Sequence, residues 1–366
     1  MIDRTDRYAR HESGEKERKL TEQDVLNALK GVKDPEIHRD LVDLGMVKDV
    51  RIGAGTVDLT VNLTTPACPL KAQIEREVRE ALTSRLGGGI EIRIHMGAEV
   101  RGKGIAEKGD IKGVKNVIAV GSGKGGVGKS TMAAAIAYGF KMYGSRVGLM
   151  DADVYGPSIP HLVGASARPM ARGDRILPIE TDGIKLMSMG FLLEPDRAAV
   201  MRGPMLHGIL TQFLHQVEWG ELDYLVIDLP PGTGDVPLTL AQSLPLTGAV
   251  VVCTPQSVAL IDAVRALAMF RQLKVPILGM IENMSGEIFG RGGAKRKAEE
   301  LGIPFLGEVP LEVAIREKGD AGVIRETLAE GAPSRSHLLA IVEKLAGQIS
   351  VQNLLAPKFP KLEILN

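Results

Sequence analysis

Apolar and polar residues alternate strictly in TVDLTVNLT, residues 56–64, which sets Val57, Leu59, Val61 and Leu63 on one face of a strand. The GAG at 53–55 can turn an earlier strand into this one, so the segment reads as a β-hairpin. EIRIHM at 91–96 alternates in the same way. Between the two lies a helical stretch for which Pro69 suits the first turn, running to about Leu86, where Gly87 to Gly89 break it. Upstream, Thr21 and Asp24 form an N-cap pair, Val25, Leu26 and Leu29 make an apolar stripe, and Gly31 terminates the helix. These elements predict a small α/β domain over residues 20–97.

Beyond residue 115 the rhythm changes. NVIAVGS, RVGLMDAD, YLVIDLP, GAVVVCTP and PILGMIENM are continuous apolar runs, separated by helical stretches such as STMAAAIAYGFKMYG and VALIDAVRALAMFRQL. Unbroken runs of that kind suit strands covered on both faces, as in a mostly parallel sheet flanked by helices. The Gly-rich, charged segment 98–115 reads as a linker. The expected organisation is a mobile tail at 1–19, the small domain at 20–97, the linker, a second α/β domain at 116–350 and a C-terminal tail at 351–366 with Pro357 and Pro360.

A chain of 366 residues exceeds the usual size of a single core, in keeping with two domains. Lys plus Arg and Asp plus Glu both total 45, so no overall charge excess points to nucleic acid or an anionic membrane. Two cysteines, Cys68 and Cys253, are too few for a disulfide framework. The N-terminus lacks the apolar run of a signal peptide, and no later stretch reaches membrane-spanning length. The expectation is a cytoplasmic protein with neither nucleic acid nor membrane as partner.

The chemistry centres on Gly123, Lys124, Gly125, Gly126, Val127, Gly128, Lys129, Ser130 and Thr131, a P-loop sequence between a candidate strand and a candidate helix. Its glycines let successive backbone N–H groups turn toward one anion, and the helix N-terminus adds its positive dipole end. Lys129 would neutralise β- and γ-phosphate charge, and the Ser130 hydroxyl would ligate Mg²⁺. Asp228 ends the run YLVID at the sheet edge where open α/β folds hold ligands, and would hold Mg²⁺ through water. Asp151 and Asp153 follow RVGLM, with a spacing that points both to the same side of an extended segment. For a lone aspartate after a strand the alternative is a solvated helix cap. Three in one P-loop domain favour function.

Lys124, the extra lysine in GKGGVGKS, resembles the signature of the deviant Walker-A ATPases. Within that group DADVYGPSIP (151–160), RGPM (202–205), DYLVIDLPPGTGD (223–235) and ENMS (282–285) are similar to the Mrp-type iron-sulfur cluster carrier ATPases. TTPACP at 64–69 and its surroundings resemble the small N-terminal domain that many of them carry. The resemblance implies a P-loop NTPase fold and an ATP-hydrolysing homodimer that serves iron-sulfur apoproteins or assembly factors. It implies that Lys124 reaches across the dimer to the partner's nucleotide, and that Asp153 orients the attacking water. Asp151 and Asp228 would support hydrated Mg²⁺, and Asn283 would hydrogen-bond adenine. Pro231 to Asp235 and Gly156 to Ser158 would be switch segments; for the first, a merely structural turn is the alternative. Met201 stands before RGPM where relatives commonly have an aromatic residue.

One departure concerns the cargo. The family's carriers typically place a Cys-x-x-Cys pair shortly after ENMS, whereas this chain reads GEIFGRGGAKRKAEELGIPF, without cysteine. Cys68, before Pro69 at the expected helix start, is then the candidate iron-sulfur ligand, because a helix N-terminus favours thiolate. The alternative is a small buried residue packed on the sheet. Cys253 sits in a run that reads as a buried strand. The seven histidines show no metal-type spacing, and the basic RGGAKRKAEE reads as a solvated helix start. The competing function is a nucleotide-switched partition or scaffold ATPase that carries no cluster. The C-terminal segment SHLLAIVEKLAGQISVQNLL has little of the positive charge that membrane or DNA partition would use.

Overall fold

The computed structural model describes residues 20–35, 37–87, 89–102, 111–153, 156–191 and 216–355. Its first module contains helix α1 (Glu22–Leu29), strands β1 (Val47–Gly53) and β2 (Thr56–Leu63), helix α2 (Lys71–Leu86) and strand β3 (Glu91–Ala98). β1 and β2 pair antiparallel and β3 adds parallel to β2. The alternation in β2 does what it predicts: Val57, Leu59, Val61 and Leu63 are buried, packed with Ile74, Val78 and Leu82 of α2 and Val25 and Leu29 of α1. Thr21 and Asp24 close a reciprocal capping box that fixes where α1 begins.

The expected helix start at Pro69 shifts. α2 begins at Lys71 behind Leu70, which provides no side-chain cap. Cys68 therefore lies in the loop before the helix rather than in its first turn, where a dipole would act on it.

The second module is an eight-stranded sheet in the order β13-β12-β11-β4-β10-β5-β9-β8. Its strands are β4 (Val117–Gly121), β5 (Val147–Asp151), β8 (Ile179–Thr181), β9 (Ile184–Ser188), β10 (Tyr224–Asp228), β11 (Gly248–Cys253), β12 (Ile277–Ser285) and β13 (Phe305–Pro310). All pair parallel except the edge strand β8, which turns back on β9. A separate hairpin joins β6 (Met170–Arg172) and β7 (Arg175–Leu177).

Residues of α3 (Lys129–Met142) and α9 (Arg335–Leu355) fill the core on one face of the sheet. Those of α6 (Ser257–Gln272) and α7 (Gly293–Leu301) fill the core on the other. Among the described residues the other α-helices are α4 (Ile159–Val163), α5 (Asp235–Ser243) and α8 (Val313–Asp320). The five central strands were legible as apolar runs. The β8–β9 hairpin and β13 were not, although the turn Asp182-Gly183, with both residues at positive φ, is a dipeptide signal for a tight hairpin.

Two expected boundaries move. Within 98–115, Val100 and Ile111 are buried in the core of the second module and Val114 bridges to Leu222, so both ends of that segment are built into that module. At the C-terminus α9 runs through Leu355, past residue 350. Its last turn serves the junction. Asn353 Nδ2 donates to the Arg101 carbonyl at 2.7 Å and to Asn116 Oδ1 at 2.8 Å, and Leu354 packs on the N-terminal core. The TTPACP loop also meets the second module, with Ala67 fully buried in its core. The Tyr224 and Thr65 hydroxyls lie 3.2 Å apart there. Tyr224 in turn stacks on Phe140, ring centroids 4.0 Å apart.

Candidate nucleotide-binding site

β4 ends at Gly121 and α3 starts at Lys129, and the loop between them follows the glycine pattern for physical reasons. Gly126 and Gly128 hold φ of +78° and +81°, a region that disfavours any side chain. Gly123 is required for a different reason: a Cβ there would sit 2.0 Å from the Asp262 carbonyl oxygen of α6. Val127 is buried and anchors the loop to the core, whereas Gly125 and Gly126 face open space. The result is a fixed cradle of backbone N–H groups at the start of a 14-residue helix.

The acidic residues come from neighbouring strands. β10 and β5 pair in register so that Asp228 and Asp151 are direct partners at the C-terminal edge of the sheet. Asp228 is completely buried, and Lys129 Nζ donates to its Oδ1 at 2.5 Å while lying 3.8 Å from Asp153 Oδ2 and 3.3 Å from Ser130 Oγ. Burial raises the Asp228 pKa and Lys129 opposes that rise. Its Oδ2 is buried without a hydrogen-bond partner among the described residues. Asp151 is pushed up to about 7, by burial first and by the Asp228 charge second.

Asp151 and Asp153 do not act as a matched pair. Asp151 Oδ1 accepts the Asp153 N–H at 3.1 Å, and its Oδ2 accepts from the Ile159 N–H at 3.1 Å and the Ser188 hydroxyl at 3.0 Å. Asp151 thus ties α4 and β9 to the site, while Asp153 faces Lys129 and accepts from the Gly156 N–H at 3.3 Å. Ser188 was missed in the sequence because β9 was missed. The segment after β10 is tied in by Gly232, at φ +92°, whose N–H donates to the Ser122 carbonyl at 2.9 Å.

Asp228 Oδ2 and the Ser130 hydroxyl are the groups beside the cradle that could hold a divalent cation; among the described residues no cluster of three or more His, Cys, Asp or Glu side chains forms a metal site. Asp151, with both oxygens engaged by protein donors, suits the outer hydration sphere.

A cavity of about 240 Å³ opens beside the loop, lined among others by Gly128, Thr131, Asn283, Met284, Leu311 and Glu312. Asn283 Nδ2 donates to the Val127 carbonyl at 2.9 Å, which joins β12 to the phosphate loop. Its neighbour Glu282 is buried and accepts the Gly292 and Ala294 N–H groups at 2.6 and 2.7 Å, so the Glu of ENMS caps α7. Lys124 is half-buried, and its ammonium has no hydrogen bond or ion pair among the described residues.

Cys253 is buried in β11, its thiol pushed up to about 12 by desolvation. Cys68 is half-buried against the N-terminal core, at the other module. Met201, RGPM and residues 154–155 of DADVYGPSIP lie outside the described residues.

A parallel sheet ending in buried carboxylates beside a glycine cradle and a buried lysine defines a P-loop nucleotide-binding protein. Sequence comparison narrows the class: a family profile described as "NUBPL iron-transfer P-loop NTPase" matches residues 113–346, and one described as "Iron-sulfur cluster assembly protein" matches residues 22–94. The chain belongs to the NUBPL-type iron-transfer P-loop NTPase family. It is 49% identical over 342 residues to the iron-sulfur cluster carrier protein of Deinococcus radiodurans, covering 90% of this chain and 96% of that one. It is 45% identical over 349 residues to the iron-sulfur cluster carrier protein of Synechocystis, covering 91% and 99%. Among solved structures it is similar to a nucleotide-binding protein from Archaeoglobus fulgidus in complex with ADP. The TM-score is 0.54 at 39% identity, over 62% of this chain and 96% of that one.

The two kinds of glycine in the loop respond differently to a methyl group. Gly123→Ala must push α6 off the loop and is expected to cost roughly 2 kcal/mol or more, as overpacking against backbone does. Gly125→Ala, with nothing within 4 Å, is expected to melt like the parent. Urea unfolding of both variants checks the contrast.

Proposed function

We propose that this protein is an Mg-dependent ATPase that works as a homodimeric iron-sulfur cluster carrier or assembly factor, delivering clusters to apoproteins. The observation that carries the nucleotide half is Lys129, the one buried cation among the described residues, set between Asp228 and Asp153 at the mouth of the glycine cradle. In this reading Lys129 turns to the phosphates when they arrive, and the carboxylates it leaves receive the cation that accompanies ATP. Bound Mg²⁺ supplies charge neutralisation on the phosphates, with Ser130 and Asp228 as its holders. Asp153, at the open side of the cluster, orients the attacking water and accepts its proton. Asn283 and the cavity beside Gly128 take the adenine. The cargo half rests on kinship with proteins named as iron-sulfur cluster carriers over nearly their whole length. Among the described residues no helix is long and apolar enough to cross a membrane.

Dimerisation has its own support. Val258 and Ile261 are 66% and 56% exposed on the first turns of α6, next to Asp262, the residue on which Gly123 rests. An apolar surface beside the phosphate loop suits coverage by a second copy, and would bring Lys124 to the partner's nucleotide. The second reading is a nucleotide-switched partition or scaffold ATPase without cargo. It is favoured by the absence of cysteine after ENMS.

Lys129→Ala is expected to raise the nucleotide Kd, and Asp153→Ala to bind normally but lower kcat by about a hundredfold, as loss of a general base does. Steady-state phosphate release with equilibrium binding separates the two; parental turnover in Asp153→Ala would remove its role.

For Lys124, a heterodimer of one Lys124→Ala subunit and one Asp153→Ala subunit discriminates directly. If Lys124 acts across the interface, one composite site keeps both residues and about half the parental activity is expected. If it acts within its own subunit, both sites are damaged and activity is lost.

The cargo is tested by anaerobic reconstitution with iron and sulfide. One chain has too few thiolates for a four-cysteine site, so a cluster bridges two subunits or is completed by a client. Cys68→Ala is expected to lose cluster absorbance and transfer to an apoprotein, and Cys253→Ala to keep both. A parent that binds no cluster would favour the scaffold reading.

A further inference from the structure

A second cavity, of about 540 Å³, opens at the end of α3 away from the phosphate loop. Tyr138, Lys141 and Met142 line it from that helix, and Arg325, Leu328 and Arg335 line it from the chain that leads into α9. Tyr138 is roughly 14 Å along the helix from Lys129 by its rise, so this cavity is separate from the nucleotide site.

One sign of a ligand is a hydroxyl with nothing to bond. Tyr138 is 3% exposed, and its hydroxyl is buried with no hydrogen-bond partner among the described residues. Burial first and the Asp182 charge second raise its pKa, so the phenol stays protonated and can donate. Thr181 lies near enough to oppose that rise without completing a hydrogen bond. Phenylalanine would fill the same space without stranding a polar atom. The tyrosine therefore carries a cost that an acceptor on a ligand would offset.

Another sign is the charge left over on the wall. Arg325 is taken by Asp182 at 2.9 Å, and Glu326 is taken by Lys318. Arg335 donates to the Leu328 carbonyl through one nitrogen and keeps its other donors. Lys141 is exposed and has no hydrogen bond or ion pair among the described residues, which leaves Lys141 and Arg335 against Glu330. The uncommitted groups are thus mainly donors, and the balance of charge favours an anion. Buried Leu328 and the neighbouring Met142 add apolar wall against which a carbon skeleton can pack.

We infer that this cavity is a second ligand site, which takes a small organic carboxylate whose oxygens accept from the Tyr138 hydroxyl and pair with the Lys141 ammonium, with Arg335 beside them. The inference stands independently of how the phosphate cradle is used.

The test is calorimetric titration of glutarate and of citrate into the full-length protein without nucleotide, with glutaramide as the uncharged counterpart and inorganic phosphate as a plain anion. At least one of the two acids is expected to bind saturably, and glutaramide and phosphate about tenfold more weakly or less, the range of a hydrogen bond to a charged group. Tyr138→Phe is expected to weaken the acid by about tenfold, and Lys141→Met by about threefold, as for an exposed charge. Tyr138→Phe is also expected to melt no lower than the parent, because it removes a buried hydroxyl that has no partner, so its loss of binding is not a loss of fold. Absence of saturable binding by both acids would overturn the inference. So would phosphate binding as tightly as the acids, which marks a general anion patch, or parental affinity in Tyr138→Phe. A lower melting temperature in Tyr138→Phe would show that the hydroxyl already has a protein partner, and would overturn it as well.

Discussion

The site depends on a buried lysine shared by carboxylates. Asp228 is completely buried with Asp151 as its register partner, an arrangement that burial and mutual repulsion both oppose. Lys129 offsets part of that cost through a 2.5 Å contact to Asp228 and a position 3.8 Å from Asp153. Asp151 is relieved differently, by three protein donors and by a pKa raised to about 7. The cluster thus stays net negative, with more carboxylates than its one lysine can neutralise, and keeps one unpartnered oxygen among the described residues.

Much of this was legible in the sequence because the fold places chain ends of strands where chemistry happens. GKGGVGKS, the aspartates closing RVGLM and YLVID, and the alternating β2 each obey a local rule, and the structure keeps those rules. What was not legible depends on long-range pairing. Ser188, which holds Asp151, belongs to a strand whose sequence, IKLMS, has no strong pattern of its own. Glu312 lies 184 positions from Gly128 in sequence but shares its cavity, and only the parallel crossover brings β13 alongside β12. The helix start after Cys68 was misjudged because Pro69 is tolerated before a helix as well as within its first turn.

The glycines show why pattern and reason should be kept apart. Gly123 and Gly128 occupy fixed positions of the motif, but the first avoids the backbone of α6 and the second avoids the Asn283 amide. Each marks a contact between the phosphate loop and another element: α6 on one side, β12 on the other. The loop is rigid because its neighbours press on it where no side chain intervenes. That rigidity orients the N–H groups before any anion arrives, and such preorganisation is what makes backbone donors effective.

The same reasoning bears on how the two modules are joined. β10 carries Asp228 at its C-terminal end and Tyr224 at its start, roughly 13 Å away by strand rise. Tyr224 stacks on Phe140, from the helix that begins at Lys129, and its hydroxyl meets Thr65 in the loop that leads to Cys68. The strand and the helix that hold the nucleotide groups at one edge of the sheet therefore converge on the N-terminal module at the other. Ala67 is buried in the core of the second module, and Thr65 Oγ1 accepts the Ala67 N–H at 3.2 Å, so the loop is built into the junction. The loop that leads to Cys68 and the glycine cradle thus lie toward opposite edges of one sheet within a single chain.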